Sequence, residues 1–179
     1  MERADYLKRV RQWVANIAIG PSTLRNQGAP GVNDAARAFL RTLDLMAIKP
    51  TRYHETLNEW TGQLLTKLPE GARNWGTARK AINVFMVAAF FNRVLSKEYN
   101  LEQLGNVLET PLDSQAAYEM RRRARMKGRR LPRWSTITGL GSESSQQFQA
   151  YALELARGLG LCRAELDLVL WRSAKEHSM

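Results

Sequence analysis

Apolar residues recur along most of the chain at intervals of three and four positions, the spacing that places them on one face of an α-helix. The first such stretch covers 6–17 and ends before Gly20 and Pro21, two residue types that interrupt helices. No stretch alternates apolar and polar residues as a half-buried β-strand does. The helical spacing returns over 32–43, 51–67, 101–107, 112–125, 148–159 and 163–172. We therefore predict an all-α fold, a single compact helical domain that spans residues 1–179.

Segment 77–96 differs from the others because it is apolar on nearly every side. A helix of this composition is typically buried in the middle of a domain. A break at 68–76, which contains Pro69, Gly71 and Gly76, separates it from the preceding helix. The pattern thus predicts a helix, a hairpin and a second, buried helix over about 64–95.

The composition is that of an ordinary globular protein, with 44% hydrophobic and 25% charged residues, which argues against disorder. No apolar run approaches the roughly 18–20 residues of a membrane span, and the first residues lack the order of a secretory signal. The one cysteine, Cys162, excludes an internal disulfide and a four-cysteine cluster and fits a cytoplasmic location. His54 and His177 lack the spacing of metal ligands, so we expect no metal and no cofactor.

The net charge of +10 is concentrated in one segment, 121–133, which has no acid. Its eight basic residues are Arg121, Arg122, Arg123, Arg125, Lys127, Arg129, Arg130 and Arg133. Clustered positive charge favours binding to a nucleic-acid backbone because it releases condensed counterions. Gly128 and Pro132 predict that the segment is a loop. The alternatives are a solvated basic loop or a localisation signal; a membrane surface would require an amphipathic helix.

The predicted hairpin would expose backbone N–H groups at the start of a helix, where they can bind a DNA phosphate. The residues predicted to contact DNA there are Gly71, Arg73, Asn74, Trp75, Gly76 and Arg79. Lys80 follows in the first predicted turn, beside apolar neighbours. Desolvation lowers the pKa of a lysine and makes its amine nucleophilic. The alternative is that Lys80 points into solvent.

Two acids each follow an apolar residue in or directly before a predicted helix. Asp113 immediately precedes one helix, so it is a candidate catalytic acid, the alternative being that Asp113 or Ser114 only caps that helix. Asp167 lies within the last predicted helix and is the second choice. Trp75 and Trp134 flank the hairpin and the basic segment and are candidates for stacking on a base, although either could instead belong to the core.

Three motifs together resemble the helix–hairpin–helix DNA glycosylases. Residues 79–84 read Arg-Lys-Ala-Ile-Asn-Val, 111–114 read Pro-Leu-Asp-Ser, and 24–27 read Leu-Arg-Asn-Gln. The motifs occur in the family's order over about 21–118, and the interval of 33 residues from Lys80 to Asp113 is nearest to the archaeal 8-oxoguanine glycosylase branch. The hairpin departs from the family pattern, since it is longer and lacks the compact Gly-x-Gly, and no iron–sulfur cysteines are present.

The resemblance implies a monomeric enzyme that flips a damaged or modified base out of double-stranded DNA. Gln27, with Asn26 or Arg25, would fill the gap in the duplex. Asp113 would stabilise the positive charge that develops at C1′. Lys80 would attack C1′ to form a Schiff base, which permits strand cleavage, unless water attacks instead. The candidate bases are 8-oxoguanine, or glucosylated hydroxymethylcytosine attacked in phage DNA as a defence. The alternative is a non-enzymatic helical module that binds DNA or RNA.

Overall fold

The regular elements of the protein are all helical in the part of the chain that the computed structural model describes, residues 1–24 and 29–170. The all-α prediction is therefore confirmed. Short 3-10 helices cover Pro50–Arg52, Glu70–Ala72 and Leu101–Leu104, and a helical turn covers 166–170. The α-helices are α1 (Arg3–Ala18), α2 (Val32–Leu40), α3 (Tyr53–Lys67), α4 (Trp75–Phe91), α5 (Arg93–Tyr99), α6 (Ser114–Met126) and α7 (Ser142–Gly158).

The first of two hydrophobic clusters surrounds α4, against which α1 and α3 pack. Ala81, Ile82, Phe85 and Ala89 of α4 are completely buried, which confirms the expectation of a central apolar helix. The second cluster lies between α6 and α7 and includes residues of the loop that joins them. The first turn of α4 connects the two, because Trp75 packs against the second cluster. Residues from both clusters can therefore meet near the start of α4.

The predicted helix over 77–96 is in fact two helices. The side chain of Asn92 accepts hydrogen bonds from the N–H groups of Val94 and Leu95, at 3.1 and 3.0 Å, and so caps α5. The turn at Asn92 lets α5 leave the direction of α4 while the apolar pattern continues. The predicted helix at 101–107 is also shorter, a 3-10 helix at Leu101–Leu104.

The predicted helix over 112–125 is confirmed, because α6 covers Ser114–Met126 and so includes the first half of the basic segment; the loop predicted around Gly128 and Pro132 begins after it. Ala116, Ala117, Met120 and Ala124 are buried at helical spacing, and this packing fixes the helix through the arginine run. Gly128, at φ +68°, adopts the left-handed conformation that commonly ends helices. Only the part after α6 is irregular.

The fold requires a glycine at position 76. A Cβ atom added there would lie 1.9 Å from the carbonyl oxygen of Ile137, so the backbone of α4 and the 137–140 loop would have to separate. We expect Gly76→Ala to lower the free energy of unfolding by about 2–3 kcal/mol or more. Urea denaturation followed by circular dichroism measures this.

The matched control is Gly62→Ala in α3, where an added Cβ meets no atom within 4 Å. Alanine should stabilise that helix by about 0.5–1 kcal/mol. Equal effects of the two substitutions would contradict the close approach of α4 to the loop.

Candidate active site

Three ionisable side chains from distant parts of the chain lie within electrostatic reach of one another. Lys80 projects from α4, Asp113 precedes α6, and Asp167 lies in the helical turn at 166–170. The charge of Lys80 interacts with both carboxylates, and the two carboxylates interact with each other. The site lies where the two hydrophobic clusters meet. The structure therefore brings together both the first and the second choice of catalytic acid with the predicted lysine.

Lys80 is half-buried rather than directed into solvent. Burial lowers the pKa of its ammonium group, and the carboxylates of Asp113 and Asp167 oppose that effect without cancelling it. Among the described residues, neither acid is close enough to form a direct ion pair with Lys80. A larger fraction of Lys80 is consequently a neutral amine than for a lysine in water.

Asp113 caps α6 and also faces Lys80. Its Oδ1 atom accepts a hydrogen bond from the N–H group of Ala116 at 2.8 Å, while its other carboxylate oxygen has no hydrogen-bond partner among the described residues. The capping role that the sequence suggested is confirmed, but it does not compete with a chemical one. One oxygen fixes the carboxylate and the other stays available.

Asp167 is an acid whose proton affinity the protein raises. Burial, with a smaller contribution from the Asp113 carboxylate, raises the pKa of Asp167 to about 6, although Lys80 acts in the opposite direction. Leu166 and Leu170, both buried in the second cluster, hold the turn that carries it. Asp167 therefore exchanges protons close to neutral pH.

Arg79, predicted to contact DNA phosphate, has a buried side chain that is only 3% exposed. Its Nε and Nη2 groups donate to the two carboxylate oxygens of Glu109, both at 2.8 Å. The remaining Nη1 group donates to Asn58 and Thr61 of α3. This ion pair joins α3 and α4 to the segment that leads to Asp113.

Glu109 is a buried carboxylate held in its charged form. Burial alone would raise its pKa, but the hydrogen bonds and charge of Arg79, with further help from Asn83 and Arg163, leave the pKa below its usual value. The Nδ2 group of Asn83 donates to Glu109 at 2.9 Å. Glu109 thus links two positions of α4 that lie one turn apart.

The other side of the same segment is attached to α7. The Thr110 N–H group donates to Gln149 at 3.0 Å, and the Gln149 side chain donates back to the Thr110 carbonyl at 2.8 Å. Arg163 donates to the carbonyls of Val107 and Leu108. Residues 107–110 are therefore fixed on both sides, which sets the position of Asp113 relative to Lys80.

Sequence reasoning missed the positioning roles of Glu109, Gln149 and Arg163. One signal was present, since Arg79 and Asn83 are polar residues four apart in a helix that is otherwise apolar all round. Buried polar side chains require partners, so this pair indicated a buried acid elsewhere in the chain. No comparable signal identified Gln149.

The hairpin residues that were predicted to contact DNA differ in their exposure to solvent. Gly76, a predicted DNA contact, is buried against the Ile137 carbonyl group. The Asn74 side chain accepts a hydrogen bond from the Thr77 N–H group at 2.9 Å and caps α4. Gly71 and Arg73 are exposed, and Arg73 also donates to the Leu68 carbonyl.

The two tryptophans have different surroundings. Trp75 is half-buried and lies 5.1 Å from the guanidinium of Arg79, which covers one face of its ring. Trp134 is also half-buried, and its indole N–H donates to the Ser114 hydroxyl at 3.3 Å. Trp134 therefore adjoins the N-terminus of α6, next to Asp113. The predicted duplex wedge, Gln27 with Asn26 or Arg25, lies outside the described residues.

The basic residues of 121–133 also differ from one another. Arg122 and Arg123 both bind the buried carboxylate of Glu119; the hydrogen bond from Arg122, with help from Arg123, lowers the pKa of Glu119 to about 2 despite burial. Arg129 pairs with Glu154. Lys127 and Arg133 are exposed. Part of the positive charge is thus already neutralised within the protein.

Compared with known proteins, the chain matches no family model, no curated protein and no solved structure. In the part of the chain that the structure covers, no group of three or more side chains could hold a metal ion. None of the helices described there has both the length and the apolar character needed to cross a bilayer.

The Arg79–Glu109 pair should dominate stability near the site. We expect Glu109→Gln to lower the free energy of unfolding by about 3 kcal/mol at pH 7, because it leaves Arg79 buried without a counter-charge. The pKa of Glu109 is lowered in the folded state, so its contribution is complete above the unfolded value and is lost as pH falls through the folded one. The difference between wild type and variant should accordingly shrink in acid, as measured by denaturation at pH 7 and pH 3.

Glu55→Gln is the control, since Glu55 pairs with Arg52 on the exposed surface of the molecule. That substitution should change stability little at either pH. If Glu109→Gln lowers the free energy of unfolding no more than Glu55→Gln does, the Arg79–Glu109 pair does not organise the site.

Proposed function

We propose that the protein is a DNA glycosylase that excises a damaged or modified base from double-stranded DNA and also cleaves the resulting abasic site. The observation that carries the proposal is the half-buried Lys80 beside Asp113 and Asp167. Further support comes from the order of the three glycosylase-like motifs and from the clustered basic residues. The candidate bases are 8-oxoguanine and the glucosylated hydroxymethylcytosine of phage DNA.

The proposed reaction begins with loss of a proton from Lys80, because an ammonium group cannot attack carbon. Burial lowers the pKa of Lys80 and raises that of Asp167. The two values approach each other, so transfer of the proton from Lys80 to Asp167 costs less free energy than the same transfer in water. Asp167 is thus the proposed proton acceptor.

The neutral Lys80 amine then forms a bond to C1′ of the flipped nucleotide. The glycosidic C1′–N bond breaks, its electron pair leaves with the base, and Asp167 returns the proton to the departing base. One proton then passes from the attached nitrogen to O4′ as the C1′–O4′ bond breaks and the nitrogen lone pair forms the C1′=N bond, which gives the protonated Schiff base. Removal of a C2′ proton then expels the 3′ phosphate and cleaves the strand.

Asp113 has the role of electrostatic stabiliser. Positive charge develops at C1′ as the base departs, and a carboxylate held in place lowers the energy of that state. The hydrogen bond to Ala116 supplies the fixed geometry. Trp134, next to Ser114, is the candidate surface on which the extruded base stacks.

The covalent intermediate can be trapped. Incubation with abasic-site DNA and borohydride should give a protein–DNA adduct that is absent from Lys80→Ala. Lys67→Ala, which changes an exposed lysine at the end of α3, should still give the adduct.

Asp113→Asn keeps a side chain that caps helices but loses the charge, so excision on a panel of modified duplexes should fall at least a hundredfold while the fold persists.

An adduct that survives in Lys80→Ala would exclude Lys80 as the nucleophile. If Lys80→Ala and Asp113→Asn both retain full excision, the proposed site is wrong. DNA binding without adduct or excision on any substrate would instead support the non-enzymatic nucleic-acid-binding module.

The ionisation of Asp167 should affect both the rate of base excision and the stability of the protein. Because its ionised form accepts the proton, single-turnover excision should fall as pH drops through about 6, and Asp167→Asn should be slow with no such decrease.

The raised pKa also means that ionised Asp167 costs folding free energy above pH 6. Asp167→Asn should therefore be more stable than wild type at pH 7, by on the order of 1–3 kcal/mol, and equal to it below pH 4. A variant that retains the acid-side decrease would exclude Asp167 as the proton acceptor.

A further inference from the structure

The positive charge of 121–133 separates into paired and unpaired arginines. Arg122 and Arg123 bind Glu119, and Arg129 binds Glu154. In contrast, Arg121, Arg125, Arg130 and Arg133 have no carboxylate partner among the described residues. An arginine whose charge is partly neutralised by a carboxylate attracts a phosphate less strongly, so the unpaired arginines are the stronger candidates for binding an anionic ligand.

Three of these unpaired arginines, Arg121, Arg125 and Arg130, surround one cavity. Together with Leu131 they line a space of about 370 Å³. Three guanidinium groups that face the same space without an acid repel one another. An anion placed among them removes that repulsion and receives charge-assisted hydrogen bonds, which guanidinium groups form with phosphate in a fixed, forked geometry.

The cavity is built by a helix and a tight turn. Arg121 and Arg125 are four residues apart on α6 and therefore lie on one face. The Gly128 N–H group donates to the Arg125 carbonyl and the Arg129 N–H group to the Ala124 carbonyl, both at 2.9 Å. This pair of bonds ends the helix and reverses the chain. Arg130 is thereby returned to the helix face, and the adjacent Leu131 packs against the second cluster.

The position of the cavity on α6 fixes its distance from Asp113. Arg121 and Arg125 follow Asp113 by eight and twelve residues, which at 1.5 Å per residue is about 12–18 Å along the helix axis. For a duplex that runs parallel to α6, this length corresponds to about four or five base pairs, because B-DNA advances about 3.4 Å per base pair. An α-helix is rigid over such a length, and Asp113 is fixed at its first turn.

We infer that this arginine cavity binds one backbone phosphate of the DNA, about four or five base pairs from the nucleotide at the active site. The DNA partner and the reference position at Asp113 rest on the proposed function. The assignment of the phosphate to Arg121, Arg125 and Arg130, and the spacing, go beyond it. The length of α6 then sets the distance between the nucleotide near Asp113 and the phosphate bound in the arginine cavity.

The test uses duplexes with one abasic site and a single uncharged methylphosphonate placed at successive positions on either strand. Wild-type affinity should fall roughly tenfold at a position four or five base pairs from the abasic site, since one charge-assisted contact is lost there. The double variant Arg121→Gln/Arg125→Gln should bind all these duplexes with the same, weaker affinity. Arg130→Gln, a change in the loop alone, should reduce the positional effect without altering α6.

Arg129→Gln is the matched control, because Arg129 is in the same segment but pairs with Glu154; it should retain the wild-type positional effect. Absence of any sensitive position, or a sensitive position that persists in Arg121→Gln/Arg125→Gln, would overturn the inference. Inorganic phosphate should compete with DNA for wild type and not for the double variant. Phosphate competition without a sensitive position would assign the cavity to a free anion and overturn the DNA contact.

Borohydride trapping on the same duplexes separates this inference from the proposed function. An adduct without a sensitive phosphate would leave the chemistry intact and reject the cavity. A sensitive phosphate at the expected spacing without an adduct would support the cavity and reject Lys80 as the nucleophile.

Discussion

The buried ion pair between Arg79 and Glu109 is the constraint around which the site is arranged. Removing both charges from water is expensive, and the cost is offset only when every donor and acceptor of the pair finds its partner. Those partners belong to α3, α4 and the segment before α6, so the three parts must be in place together. Lys80 is adjacent to Arg79, and Asp113 follows Glu109 by four residues. The pair therefore fixes the lysine and the acid by fixing their neighbours.

The proposed reactive groups and the groups that position them have opposite effects on stability. Arg79, Glu109 and Gln149 are buried with their hydrogen bonds made and hold the molecule together. Lys80 and Asp167 are partly buried and have no such partners among residues 1–24 and 29–170, and burial is the main cause that shifts the pKa of each from its usual value. Ionisable groups with a shifted pKa are common in active sites. The well-paired residues around them supply the stability that keeps such groups in place. Asp113 belongs to both sets, since one of its oxygens caps α6.

Much of the fold follows from the sequence because helical spacing of apolar residues is a local property. The bounds of α1, α3 and the centre of α4 agree closely with the pattern. An error occurred where one side chain outweighs the pattern, since the Asn92 cap divides the predicted helix over 77–96 into two. Lys80 and Asp113 could be selected from short motifs, but their approach to Asp167 depends on packing between residues more than fifty positions apart. Arg79 was assigned to DNA because it lies at the predicted hairpin; its partner, Glu109, is thirty residues away, beyond any local pattern.

The two hydrophobic clusters follow one another along the chain almost without mixing. The first uses residues 14–108 with one late addition, Ala164, whose N–H group donates to the Gly105 carbonyl at 3.1 Å. The second begins at Leu112. During synthesis on the ribosome, most of the first cluster can form while the rest of the chain is still being made. Asp167 is translated only three residues after Ala164, so the last acid of the site arrives with the residue that completes the first cluster. A nascent chain from which Lys80 has already emerged thus has no complete candidate site until both halves of the molecule have been made.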